Sequence, residues 1–290
     1  MLFIQLFING IQTGALYALI AAGFSLIFGT TRVFHVAHGA TFTLAGFVFY
    51  ELYTVLAWAW PLAALGAAAA AAVFGVLVDR YVYSVIQRHE AAFFTVFVAS
   101  FGLAIVVQNL IAIGFGRGLV TVPTPLSKSL ELLPGLYVAP MAAVAVLCAI
   151  VAFGLLQWLL THTNLGLALR ALGENPELVR VYGLTPRRLS QYVFLIGSLL
   201  AVPAAILTAA TSGLNPAMGH HIMLISIAAT IVGGVGSLRG AAVAGLLLGM
   251  AENLSLAWID PQWSEAVTFV VLFLFILFRP GGFFGRAVTS

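Results

Sequence analysis

LSQYVFLIGSLLAVPAAILTAATSGLNPAMGHHIMLISIAATIVGGVGSL, residues 189–238, contains no Asp, Glu, Lys or Arg. A helix needs ~20 apolar residues to cross ~30 Å of hydrocarbon. The stretch is therefore long enough for two crossings, and GLNPAMGHH at 213–221, with its Gly, Asn, Pro and two His, supplies the break between them. Further windows free of these charges cover 1–31, 33–50, 52–78, 91–116, 132–169, 240–251 and 266–278. The spans predicted from them are 3–28, 34–56, 61–78, 92–115, 136–160, 190–212, 222–236, 241–257 and 263–278. The expected fold is an all-α integral membrane protein, a bundle of about nine transmembrane helices (eight to ten), some of them discontinuous.

Composition excludes a soluble domain: 62% of the residues are hydrophobic and only 7% charged, against roughly 25% charged in ordinary soluble domains. The mean hydropathy is +1.10. The net charge of +3 comes from scattered rather than clustered basic residues, so it gives no footprint for nucleic acid and its meaning is topological. Cys148 is the single cysteine, which leaves no disulfide framework and no cysteine-based metal site. The amino terminus lacks a basic leader and a small-residue cleavage site, so the first segment is expected to remain as a span.

With the amino terminus outside, nine spans put Arg32, Arg80, Arg88, Arg170, Arg180, Arg187, Arg188, Arg239, Arg279 and Arg286 on the cytoplasmic side and only Arg117 and Lys128 outside. That bias obeys the positive-inside rule. Trp58, Trp60, Trp258 and Trp263 then fall at the outer headgroup boundary. The spacings Gly10/Gly14, Gly236/Gly240 and Gly245/Gly249, together with GAAAAAA at 66–72, allow close helix packing in lipid.

The chain reads as one transmembrane domain over 1–290, with one long hydrophilic loop at 161–190. Asn175, Pro176 and Glu177 give an N-cap, a first helical residue of fixed φ and a first-turn acid. Gly183 gives the stop, and Thr185-Pro186 the next start. Leu178, Val181 and Tyr182 share one face of the short helix between. Such a helix is marginal in water, so it needs packing. The residues by themselves fit a solvated connector as well as a docking element.

Thr163, Gly166, Ala168, Arg170 and Ala171, then Glu174-Asn175-Pro176 and Gly183, resemble the cytoplasmic coupling loop of permeases in high-affinity branched-chain amino acid ABC importers. GIQTGALYALIAAGFSLIFGTTRVFHVAHGATFTLAG at 10–46 and GGVGSLRGAAVAGLLLGMAEN at 233–253 resemble the two signatures of the same family. One departure is His35, where the family usually carries Asn. The resemblance implies a multi-pass permease of a bacterial inner membrane, importing branched-chain amino acids or similar small polar solutes. It also implies a second homologous permease subunit, two ATP-binding cassette ATPases, a periplasmic substrate-binding protein, and a coupling role for Gly166, Arg170, Glu174, Asn175, Pro176, Leu178, Val181, Tyr182 and Gly183.

His35, His38, Asn215 and Glu252 are candidates for the pathway. Glu252 sits in an apolar stretch where a carboxylate is costly, and bracing a neighbouring helix is the alternative. His35 and His38 lack a third ligand for a metal. The Gly-rich stretch 233–240 fits either a tight turn or a discontinuous, pathway-lining helix, and no GxxxxGK[ST] occurs, so it is not a P-loop. No catalytic constellation or cofactor pattern is evident. A secondary, ion-coupled transporter is the rival reading, disfavoured by the shortage of intramembrane charge. Cysteine labelling in a Cys148→Ala background should find position 187 closed to an impermeant outside reagent in intact cells; labelling there contradicts the orientation.

Overall fold

A computed structural model describes residues 1–89, 92–279 and 281–284; Arg286 lies outside them. The helices are α1 (Leu2–Thr31), α2 (His38–Tyr50), α3 (Trp60–Val78), α4 (Ser84–His89), α5 (Phe93–Phe115), α6 (Pro140–His162), α7 (Asn164–Glu174), α8 (Pro176–Val181), α9 (Pro186–Thr211), α10 (Met218–Gly233), α11 (Leu238–Ser255) and α12 (Ser264–Phe278). A small antiparallel hairpin, β1 (Leu130–Leu133) and β2 (Leu136–Val138), pairs Leu130 with Val138.

All nine predicted segments contain helix, but the count of nine spans is not borne out. Six helices are long and apolar enough to cross a membrane, and seven units result if α10 and α11 are taken as one span bent by 120°. At about 1.5 Å per residue, the 16 residues of α10 reach only ~24 Å. α2 also differs: helix begins at His38, not 34, and Val33–Ala37 runs non-helically through buried surroundings. Backbone at such depth is tolerated only inside protein. There Ala37 N–H donates to Ser100 Oγ at 3.0 Å and His38 N–H to the His35 carbonyl at 3.1 Å. Residues 136–138, expected in the fifth span, form β2 instead, and that helix starts at Pro140.

Two π-helical turns, Glu51–Val55 and Asp79–Tyr83, extend α2 and α3. The second bridges α3 and α4, so Trp60–Arg88 is continuous.

α1 is the central post. Nearly every residue from Ala15 to Ile27 is buried, and a helix apolar all round belongs inside. The outer helices expose most of their surface; α3 buries a stripe of Ala63, Ala67, Ala71 and Gly75, and α5 buries Val96, Ser100, Ala104, Val107 and Ile111. Small residues at every fourth position let α3 approach α9, where a Cβ on Gly75 would stand 3.0 Å from the Phe194 carbonyl oxygen.

The glycine spacings read from the sequence meet one another. A Cβ on Gly14 would lie 2.7 Å from Leu246 Cα, one on Gly10 would lie 2.9 Å from Met250 Cα, and one on Gly249 would strike the Gly14 backbone. α1 and α11 thus touch backbone to backbone, as lipid-embedded helices do when small residues face each other. The stretch 233–240 is a tight turn: Gly234 and Gly236 hold φ of 97° and 78°, Gly240 abuts Gly233, and Gly29 packs on Gly236.

One end of the bundle gathers the amino terminus, the hairpin and the end of α9. Gln5 exchanges two hydrogen bonds with the Tyr137 backbone, Val120 pairs with Leu214, and Phe3 packs on Trp258. The other end gathers the close of α1, α7, α8, the start of α9 and the α10–α11 turn. Arg117 and Lys128 belong to the first end; the remaining described arginines belong to the second.

Replacing Gly249 by Val should lower the midpoint of thermal unfolding in detergent, because overpacking a tight contact costs about 1–3 kcal/mol or more. Gly102→Ala, at a site with nothing within 4 Å, should leave it unchanged.

Candidate functional site

The loop at 161–190 is built from capped turns. Thr163 Oγ1 accepts from the Gly166 N–H at 3.0 Å and starts α7. Gly166 abuts the Leu159 carbonyl and Leu160 Cα, fixing the corner between α6 and α7. Asn175 Oδ1 accepts from the Leu178 N–H at 3.0 Å, with Pro176 as the first residue of α8. At its other end, Gly183 with φ 77° donates to the Arg180 carbonyl and Leu184 to that of Val179. This pair of bonds is a Schellman closure. Every cap read from the sequence is present except that Thr185 starts α9 with no side-chain cap.

Val179 is 2% exposed and belongs to the same buried apolar cluster as Leu169, Leu172 and Val193, which anchors the short helix. The opposite face is bare: Leu178, Val181 and Tyr182 are 51%, 81% and 77% exposed. Arg170 and Glu174 stand on the exposed side of α7. Glu177 and Arg180 pair at 3.1 Å on the surface, an interaction worth little in water.

Beneath this loop, Asp79 in the second π-helical turn is buried. One carboxylate oxygen accepts from Ser190 Oγ at 2.7 Å, tying α3 to the first turns of α9, and the other has no partner.

His35 and His38 are wholly buried. His35 Nδ1 meets Tyr83 Oη at 2.7 Å, and Tyr83 Oη meets Ser100 Oγ at 2.6 Å. Since Ser100 also accepts from Ala37, this chain joins the 33–37 segment, α3's π-turn and α5. His38 Nε2 donates to the Ile20 carbonyl at 3.1 Å, which sets its tautomer and pins the first residue of α2 to the middle of α1. The rings are 5.8 Å apart, and among the described residues no group of three or more metal-binding side chains forms.

Glu252 is half-buried and accepts from Tyr17 Oη at 2.9 Å, bracing α11 on α1. His221 Nε2 approaches Glu265 at 3.2 Å nearby, between α10 and α12. Asn215 is half-buried in the connection between α9 and α10. The four pathway candidates are thus not brought together: the two histidines share one buried network, Glu252 lies on the α1–α11 seam, and Asn215 stands apart.

Residues 6–276 match the family described as branched-chain amino acid transport system / permease component. The chain belongs to that family. The permease is 29% identical to the high-affinity branched-chain amino acid transport system permease protein BraD of Pseudomonas aeruginosa, covering 98% of this chain and 96% of that one. It is 27% identical to the corresponding LivH of Escherichia coli K12 over the same shares. The ribose import permease protein RbsC of Escherichia coli is 31% identical over 41% of this chain and 40% of its own. Among solved structures, PsaBC from Streptococcus pneumoniae in complex with Fab matches with a TM-score of 0.54 at 11% identity, over 96% of this chain and 92% of that chain, which supports the fold alone.

Sequence reasoning missed Tyr83, Ser100, Asp79 and Ser190. Asp79 and Tyr83 fell just beyond the predicted end of a span, and their partners are distant in sequence, so spacing could not pair them. Tyr83→Phe in the permease should destabilise it by about 1–3 kcal/mol, because the buried His35 and Ser100 groups lose their shared partner. Thermal unfolding checks this, and adding Ser100→Ala should cost less than the sum of the two single changes.

Proposed function

We propose that this chain is the membrane-spanning permease subunit of an ATP-driven importer in a bacterial inner membrane, and that α8 is where an ATPase subunit grips it. Family membership makes it a transport component that works with ATPase and other subunits, which removes the ion-coupled rival. The finer reading rests on one observation, the bare face of Leu178, Val181 and Tyr182 on a helix held rigid by its caps and by Val179. The loop carries too many charges to enter lipid, so an apolar face there calls for a protein groove. Burying side chains of this size contributes about 1.5–3 kcal/mol each, enough to anchor a small interface.

The arginines around the loop would steer and orient the partner more than hold it. Its basic end is assigned to the cytoplasm by the positive-inside rule. Closure of two ATPases would then move α7 and α8, and a second permease would complete the translocation path. Substrate would arrive from a periplasmic binding protein at the opposite end, on loops 116–135 and 213–221, which pair through Val120 and Leu214. Branched-chain amino acids are the favoured substrates because the two near full-length relatives reported above carry that name; the partial likeness to a ribose permease marks small polar solutes more broadly as the outer limit.

Changing both Leu178 and Tyr182 to Asp should release the ATPase subunits and abolish uptake while the permease still inserts, since its spans are untouched. Gly183→Val should act more weakly, through left-handed strain of about 1–2 kcal/mol. Co-purification of tagged permease with its ATPases decides: full retention by the double variant returns the loop to a connector.

A further inference from the structure

A cleft of about 800 Å³ opens at the basic end between α1, α7, the close of α6 and the α10–α11 turn. Its walls mix two chemistries. Arg32 and Arg170 line it together with Glu174, and neither arginine is in an ion pair among the described residues. Ser237, which caps α11, lies on the same wall. Leu26, Leu160 and Phe284 supply the apolar part.

Two observations point to a ligand. The first is Ser25, on the cleft wall and 1% exposed, whose Oγ has no hydrogen-bond partner. A buried hydroxyl left unpaired is costly, and native structures rarely keep one without an occupant. The second is the pair of guanidinium groups, Arg32 and Arg170, that face the same cleft without an ion pair among the described residues.

We propose that this cleft binds the phosphate headgroup of an anionic phospholipid, with Arg32 and Arg170 on the phosphate, Ser25 filling its orphaned hydrogen bond, and the apolar wall taking the first acyl carbons. Guanidinium groups match phosphate oxygens in a two-pronged geometry. Basic pockets between helices at the headgroup level are suited to such lipids. On the orientation proposed above, the last turns of α1, the close of α6 and the start of α11 would stand at that level. A free phosphate ion would use the arginines but leave the apolar wall empty, so the mixed lining favours lipid. Because α7 forms one side of the cleft, a bound lipid would sit against the loop that carries α8.

The assembled transporter would be reconstituted in nanodiscs of phosphatidylcholine with phosphatidylglycerol, released, and weighed by native mass spectrometry. Wild type should retain phosphatidylglycerol over phosphatidylcholine, and Arg32→Gln combined with Arg170→Gln should cut that retention by about tenfold or more, the worth of one or two charge-assisted hydrogen bonds. Arg170→Gln alone, at an exposed position, should give a smaller loss in a protein that folds. Arg188→Gln, at the same end but outside the cleft, should have no effect. Equal retention by wild type and the double variant overturns the proposal, as does equal retention of the two lipids. Displacement of the lipid by excess inorganic phosphate would reassign the site to a soluble anion. Loss of ATPase subunits from the double variant, with no lipid bound to wild type, would reassign it to a protein contact.

Discussion

Backbone contact between α1 and α11 is the constraint on which the other packing depends. Inside a bilayer there is no hydrophobic gain from bringing helices together, so close approach and satisfied backbone groups must do it. Gly10 and Gly14 against Gly245 and Gly249 supply the approach. Tyr17 and Glu252 add a directed bond across the same seam. With α1 held there, its other faces are free to receive α9 at Gly23 and Gly197, and the α10–α11 turn at Gly29 and Gly236.

Around that post the helices are broken at depth, and each break is closed by protein. Val33–Ala37 leans on Ser100 and Tyr83, while the starts of α2 and α10 touch at Gly39 and Gly219, where a Cβ on Gly219 would lie 2.6 Å from the Gly39 carbonyl oxygen. Such breaks give a bundle places to bend without exposing unpaired backbone. The bond from Ser190 to Asp79 links the first turns of α9, just after the loop, to the π-turn that also carries Tyr83. Two sets of side-chain hydrogen bonds, Ser190 to Asp79 and Tyr83 to His35 and Ser100, are therefore anchored on the same π-turn.

Features with local signals were legible in the sequence. Asn175 and Gly183 announced the turns of the loop because a cap needs only residues three or four positions away. Glycine spacing announced the α1–α11 seam, although not which helix would meet which. The break before α10 was visible in its Gly, Asn and Pro, but the 120° bend after it was not. Windows of apolar residues gave nine spans where six helices, or seven with the bent α10–α11 pair, are long and apolar enough to cross, because a hydropathy window also admits helices as short as α2 and α10. The buried network was illegible for a different reason: His35 and Tyr83 are 48 positions apart, and neither carries a local pattern that names the other. Glu252 was found by being a carboxylate in an apolar run, and its bond to Tyr17 favours the bracing role over an open pathway.

The central claim is that the bare face of α8 is covered by an ATPase in the working transporter. Accessibility of a single cysteine tests it most directly. Val181→Cys in the Cys148→Ala background would be labelled with a maleimide polymer, in membranes from cells with and without the ATPase subunits. The account predicts strong labelling of the permease alone and protection when the ATPases are assembled; equal labelling in both membranes would contradict it.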